Sequence, residues 1–501
     1  MRSDNKVYID VNSIEEEQFG DVRKNASENG KIIKDVFLNC FDILVKESEF
    51  MGRTIVFSNC DGLSNSLNIS EAVVKPILFG APVITAKKPF DYIKERLLCG
   101  TEVDTEKNLD KAIQEMLRGN LLIFIDGESE CIVVGAQRIP ERAIDEPDTE
   151  VQEHGSREGF TENLKTNLSL VRKRLCTVNF KVEVTEIGKV SRTKTAICYM
   201  EGKVNKKTLE EVKQRLAAVE TDTLLDVCYL QPFLDTKRKT PFSMLATTER
   251  PDTFCAKINE GKVAIFVDGS PFAMVLPILF IENFQAIDDY FNRPFYATFM
   301  RIIRILSFIF SIALPGSYVA VGLFHQEILP DDMLYNIVMM ESNTLFTLTT
   351  EALAIHFIYE LVREAGLRMP KSIGHAMSIV GALVIGDAAV TAGLIGATML
   401  IVVAMTALSS LVVSDIYQPV SVLRFVFIVV GGFSGLYGIM IASAVLILNL
   451  ASITDYSVAY LSPLTPYNKS LWRDTVLRQS FKKMSKKQFN INGLRFGGEN
   501  K

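Results

Sequence analysis

Ile305-Leu306-Ser307-Phe308-Ile309-Phe310-Ser311-Ile312-Ala313-Leu314-Pro315-Gly316-Ser317-Tyr318-Val319-Ala320-Val321-Gly322-Leu323-Phe324 contains no charged side chain. A helix rises 1.5 Å per residue, so ~20 apolar residues cover the ~30 Å hydrocarbon layer of a bilayer. The run meets that length, and Pro315-Gly316 at its middle predicts a kink. Outward from it the chain splits. Residues 1–300 mix charge and apolar side chains, whereas from about Arg301 to Tyr460 charge is rare. The 48% hydrophobic average conceals this division. The expected fold is a duplicated cytosolic α/β N-terminal domain followed by an all-α polytopic membrane domain.

Three further runs follow. Thr344–Leu361 holds Glu351, His356 and Glu360. Met377–Val413 is longer than one crossing requires and is interrupted only by Asp387. Val422–Leu450 is the last. Charge in the connections orients them. Arg293, Arg301 and Arg304 precede the first run, and Glu327, Asp331 and Asp332 follow it. Arg363, Arg368 and Lys371 follow the second, and Lys469 to Lys487 form a basic tail. The pattern alternates for four crossings with both termini cytoplasmic. Gly381–Gly396 is then surplus and reads as a re-entrant or interfacial piece, tolerated where it is buried in protein or lines water. One long tilted helix is the alternative. Gly431 and Gly435 form a GxxxG pair, which suits close helix packing or subunit association, with ordinary packing inside one subunit as the plain alternative.

The polar half repeats itself. Ile123-Phe124-Ile125-Asp126-Gly127 recurs as Ile265-Phe266-Val267-Asp268-Gly269, each preceded by a glycine (Gly119, Gly261) seven residues before the aspartate. An apolar strand ending in Asp-Gly before a second apolar run signals a β-hairpin. Thr54–Phe57 leading to Asp61-Gly62 echoes Thr195–Tyr199 leading to Glu201-Gly202, and a helical pattern follows each (69–78 and 207–219). This spacing predicts two duplicated α/β subdomains, 31–140 and 176–290. A flexible segment 1–30 precedes them. A linker and amphipathic helix (141–175) joins them, a helical domain occupies 291–460, and a basic tail 461–501. The return strand 272–281 is flanked by Pro271 and interrupted by Pro277, which fits an edge strand or a segment that couples the polar half to the first span.

Chemistry is sparse. The chain carries no P-loop, GxGxxG, GxSxG or HExxH pattern, so no enzyme is expected. Its eight cysteines form no CxxC pair and its four histidines are scattered, so neither a metal site, a cofactor nor a disulfide framework is expected. A net charge of −5 offers no nucleic-acid surface. The N-terminus lacks an apolar leader, which makes the first span its own membrane signal. Asp126 and Asp268 read as turn residues. The costly groups are the carboxylates and histidine in apolar surroundings. Thr344, Thr347 and Glu351 at i, i+3, i+7 read as one polar stripe, and His356 and Glu360 at i, i+4 can pair. Together with Asp387 they outline a water-lined cation path. Internal pairing with Arg363 or Arg424 is the alternative.

Several segments resemble the A subunit of GerA-type spore germination receptors. They are Arg157–Asn167, Glu249-Arg250-Pro251-Asp252, Glu260–Phe272, Arg363–Pro370 and Ser378–Gly386. The resemblance spans about 31–480. It departs at His356, where a carboxylate is expected, which weakens an acidic-ring role there. It implies an oligomer in the inner membrane of an endospore, gating monovalent cations, with a permease-like B subunit that senses nutrient and a lipoprotein C subunit. The related stage V sporulation AF protein shares this architecture, and a non-conducting scaffold is a further alternative.

Overall fold

The computed structural model describes residues 8–10, 19–79, 89–94, 98, 102–137, 147, 150, 152, 154–235, 239–341, 344–369, 386–467, 471–480, 482, 487–489 and 491.

The first subdomain opens with α1 (Ala26–Val36), whose N-terminus is capped by the Asn25 side chain accepting the Glu28 amide. Five strands follow: β1 (Ile43–Phe50), β2 (Arg53–Cys60), β3 (Val103–Glu106), β4 (Leu121–Ile125) and β5 (Cys131–Val134). They form one sheet in the order β1-β2-β4-β5-β3, with every pairing antiparallel. Helix α2 (Leu109–Leu117) packs with α1 on one face, over Val56, Leu122 and Phe124. Alternate residues Ile55, Phe57, Ile123 and Ile125 face a separate core on the other side.

The second subdomain repeats this plan. Helix α3 (Leu164–Arg174) is capped by Asn163. It precedes β6 (Phe180–Ile187), β7 (Thr193–Met200), α4 (Lys206–Ala217), β8 (Ala246–Thr248), α5 (Pro251–Asn259), β9 (Val263–Val267) and β10 (Ala273–Leu276). The sheet order is β6-β7-β9-β10-β8. The two sheets therefore share one topology. Matching details recur at the hairpin turns. Gly127 and Gly269 adopt φ of 92° and 94°, a left-handed conformation that suits glycine. Their amides donate to the carbonyls of Lys24 and Glu162. Asp126 and Asp268 each accept an amide from the first turn of the preceding helix, Ala26 at 3.4 Å and Leu164 at 3.1 Å. Both turn aspartates thus cap a helix a hundred residues away as well as shaping the turn.

A buried asparagine is duplicated too. Asn29 grips Arg23 through both the carbonyl and the amide of its backbone (2.6 and 2.9 Å), and Asn167 grips Thr161 in the same way (2.5 and 2.7 Å). Asn167 is therefore what fixes the end of the Arg157–Asn167 segment. Truncation would strand a buried amide and carbonyl, so Asn167→Ala is expected to lower stability by about 1–3 kcal/mol. Chemical unfolding of purified protein checks this, and a shift near zero contradicts the clamp.

β10 lies between β9 and β8, inside the sheet, so the edge-strand expectation fails. The strand ends at Leu276, before Pro277 would remove a ladder donor. The chain then turns to place Phe280 and Phe284 against Phe308, with ring centroids 5.5 and 5.6 Å apart. Most of 141–153 lies outside the described residues.

The helical half contains α6 (Pro294–Phe324), α7 (Asp331–Glu341), α8 (Leu348–Arg368), the short α9 (Gly386–Thr391), α10 (Ala397–Val412) and α11 (Tyr417–Ser452). α6 runs on through Pro315. The stretches 294–324 and 414–452 are long and apolar enough to cross a membrane. Three expectations are corrected. The second helix begins at Leu348, so Thr344 precedes it and Thr347 is its N-cap. Residues 377–413 are no single tilted helix, because a turn at 392–396 separates α9 from α10. Of the surplus piece, 381–385 lies outside the described residues.

The third correction is the largest. The run 422–450 is not one rod. At Gly435 the backbone has φ 62° and ψ −155°, which is not helical. A Cβ placed on Gly438 would lie 3.2 Å from the Val430 carbonyl oxygen. In a straight helix those positions stand about 12 Å apart along the axis. Both ends of α11 also meet the α/β half. Asn449 bonds Thr240 (2.8 Å), and Val413, Ile416 and Leu450 share a core with Phe280. Gly435 meets Phe324 and His325 at the opposite end of α6. α11 is a helical hairpin, with two arms of about 26 Å each. The arms pack on α6 with the α/β half at the near end and the Gly435 turn at the far end.

Candidate functional site

Two polar clusters stand out, one where the halves meet and one inside the helical bundle. At the junction, Arg301 of α6 is buried. Its guanidinium donates to Asp289 (2.9 Å), to the Asp474 carboxylate (3.1 Å), and to the carbonyls of Asp474 and Thr475. Arg304 adds a second bond to Asp289 (2.9 Å), and Tyr290 donates to Asp474 (2.9 Å). Glu282 takes both Lys257 and Lys262 and accepts the Leu279 amide. Burial pushes the Glu282 carboxyl up, but the two ammonium groups overcome this and hold it well below its usual range. Arg215 of α4 forms a two-point pair with Asp455 (2.6 and 3.0 Å) just beyond the hairpin, and stacks over Tyr456. Burial lifts Glu150 to about 7, although Thr248 donates to it at 2.8 Å. Two ion clusters, around Arg301 and around Arg215, and an aromatic core thus join the halves.

Inside the bundle the hub is Glu360. It accepts Tyr417 (2.7 Å), Ser421 (2.6 Å) and Arg424 (3.3 Å) from the first arm of α11. Arg363 lies 3.9 Å away and stacks 3.3 Å from the Tyr417 ring. Arg424 is fully buried and also donates to the Ser311 carbonyl of α6 (3.0 Å). For Glu360 the structure therefore realises the internal-pairing alternative. His356 does not pair with it: its Nδ1 faces the Ala352 carbonyl at 2.9 Å. A helical i−4 carbonyl is nearer than the next turn's carboxylate.

The remaining predicted residues gather at the far end. Glu351 is buried, and its Oε1 accepts the Gly396 amide at 2.6 Å, which ties α8 to the start of α10. Thr347 is exposed and shares a hydrogen bond with Thr350 (2.9 Å). Thr344 bonds the Phe346 carbonyl (3.5 Å) in the preceding turn. The three do not form one helical stripe, because the helix starts too late. Asp387 is exposed on α9. Gly431 packs against Gly316 of α6: a Cβ on Gly431 would fall 2.4 Å from the Gly316 carbonyl oxygen, and one on Gly316 would fall 2.5 Å from the Phe427 carbonyl oxygen. Gly431 thus sits in the contact between α6 and the first arm, and Gly435 makes the turn. Sequence reading passed over Tyr417 and Ser421, although with Arg424 they repeat at i, i+4, i+7 and mark one polar face.

The fold is thus a duplicated α/β module bonded to an apolar helical bundle that carries a buried arginine–carboxylate hub. The chain belongs to the Bacillus/Clostridium GerA spore germination protein family, whose model matches residues 31–489. It is 35% identical to spore germination protein KA of Bacillus subtilis (strain 168), over 91% of this chain and 84% of that one. It is 31% identical to spore germination protein GerLA of Bacillus cereus, over 91% and 93%. The uncharacterized membrane protein YfkQ of Bacillus subtilis (strain 168) is 31% identical over 97% and 95%. The crystal structure of the N-terminal domain of the A subunit of the Bacillus megaterium spore germinant receptor GerK3 aligns with a TM-score of 0.41 at 25% identity, covering 52% of this chain and 97% of that one.

Proposed function

We propose that the protein is the A subunit of a nutrient-responsive germination receptor in the inner membrane of an endospore. Several copies surround a gated cation path, and a permease-like B subunit and a lipoprotein C subunit complete the complex. The observation that carries this reading is the family match, which runs through the α/β half and the bundle together. The junction supports it, because a change in the α/β half reaches α6 and α11 through bonded contacts.

The near end is cytoplasmic in this reading. Arg293, Arg301, Arg304, Arg363 and Arg368 lie there, and Glu327, Asp331 and Asp332 follow α6 at the other end. Among the described residues, helices α6, α8, α10 and the two arms of α11 make five passes. Glu351 and Asp387, at the far end, attract cations toward the path.

In vesicles holding the complete receptor, nutrient should evoke a monovalent cation flux. Asp387→Asn and Glu351→Gln should each lower it several-fold while assembly persists. Absence of flux, or flux indifferent to both substitutions, overturns the cation path. An impermeant thiol reagent should label Ser434→Cys only from the far side, and labelling from the cytoplasmic side overturns the placement of the hairpin across the membrane.

A further inference from the structure

The helical turns Val227–Leu230 and Gln231–Leu234 in the second subdomain are apolar on two faces. Val227, Leu230 and Leu234 are buried in a core with Val212, Leu216 and Met274. On the other face Leu225, Tyr229 and Phe233, spaced i, i+4, i+8, are 62%, 52% and 40% exposed. A water-facing stripe of this kind calls for a partner. The one acid within it, Asp226, is engaged with Ser270 (2.5 Å) and the Cys228 amide (2.8 Å).

Its position identifies the partner. The Leu234 carbonyl accepts Arg215 (2.8 Å) and the Tyr456 hydroxyl, just beyond the near end of the hairpin. Thr240 bonds Asn449 at the foot of the second arm, whose Val445, Ile447 and Leu448 are exposed. The stripe thus lies near the foot of an arm whose exterior is apolar. Cations cluster there as well. Lys206 is exposed beside Thr208, whose hydroxyl bonds the Tyr456 carbonyl (3.1 Å), and Lys239 is exposed beside Thr240. At the base of α6, Phe291, Phe295 and Tyr296 are exposed around Arg293.

We propose that the second subdomain rests on the membrane it serves. Leu225, Tyr229 and Phe233 enter the boundary between headgroups and acyl chains of an anionic phospholipid leaflet, while Lys206 and Lys239 lie on the headgroup phosphates. Aromatic rings favour that boundary, and lysines near it are drawn to anionic lipid. Anchored there, the subdomain transmits to α6 and α11 against a fixed plane. This inference rests on the membrane placement proposed above.

The test uses full-length protein in vesicles of phosphatidylcholine with brominated acyl chains, with or without phosphatidylglycerol. Tryptophan emission is read against the parent, whose Trp472 sets the baseline. The indole added by Tyr229→Trp or Phe233→Trp should lose about half its emission when phosphatidylglycerol is present. Lys206→Glu with Lys239→Glu should abolish that loss. Phe310→Trp on α6 reports insertion. If it is quenched while positions 229 and 233 are not, the docking is overturned and the membrane placement stands. If it is not quenched, the membrane placement fails and the docking with it. Equal quenching at 229 and 233 without phosphatidylglycerol overturns the role of anionic lipid.

Discussion

Arg172→Leu is expected to lower stability by about 3–5 kcal/mol, because it leaves a buried carboxylate without its cation. Arg172 belongs to α3, yet its guanidinium meets Asp42 of the first subdomain at two points, 2.8 and 3.0 Å. Neither side chain is more than 4% exposed. The same guanidinium donates to the carbonyls of Thr177 and Phe180 and stacks over the Phe180 ring at 4.6 Å. One side chain therefore joins the two copies of the duplicated fold and holds the turn into β6. Asp42→Ala should cost a comparable amount, since it leaves the cation buried. Asp42→Leu with Arg172→Leu should cost clearly less than the two single losses combined, because no lone charge remains. Chemical denaturation of all variants reads the coupling. Additive costs, or single losses below about 1 kcal/mol, contradict a structural pair.

This pair shows where sequence reading stops. The duplication was legible because a turn imposes local rules: Asp-Gly after an apolar strand recurs with fixed spacing. The sheet order then follows from two copies of one plan. The apolar character of 301–460 was legible because it is a matter of composition. The contact between Asp42 and Arg172 is neither. It links positions far apart in the chain, and Arg172 stands in a basic run, Arg172-Lys173-Arg174, that reads as a solvated face.

The hairpin was hidden for a related reason. Gly431, Gly432, Gly435 and Gly438 serve equally well for close packing of a straight helix or for reversing it. Only the left-handed backbone at Gly435 separates the two, and that conformation is tertiary. A count of four crossings treats 422–450 as one rod. The stripe from Thr344 failed at a cap. With Thr347 extended (ψ 150°), the helix starts at Leu348 and the i, i+3, i+7 relation dissolves. Helical periodicity applies only from Leu348 onward, where the backbone becomes helical.

Glu360→Leu is expected to cost about 3–5 kcal/mol in the bundle, because among the described residues the buried Arg424 keeps the Ser311 carbonyl as its one hydrogen-bond acceptor. Arg424→Leu should also destabilise, but less, since Tyr417 and Ser421 still donate to the carboxylate. The difference follows from the donor set: an anion with two hydroxyls is better satisfied than a cation with one carbonyl. Glu360→Leu with Arg424→Leu removes both charges and should assemble nearly as well as the parent. That double variant also separates two roles for Glu360. If the carboxylate only latches α8 to the hairpin, the double variant restores both assembly and nutrient-evoked flux. If it contributes charge to the path, assembly returns and flux does not. Thermal unfolding in detergent together with vesicle flux distinguishes these outcomes. A double variant as unstable as Glu360→Leu alone contradicts the pairing itself, because the loss would then lie in the shape of the side chains rather than in the stranded charge.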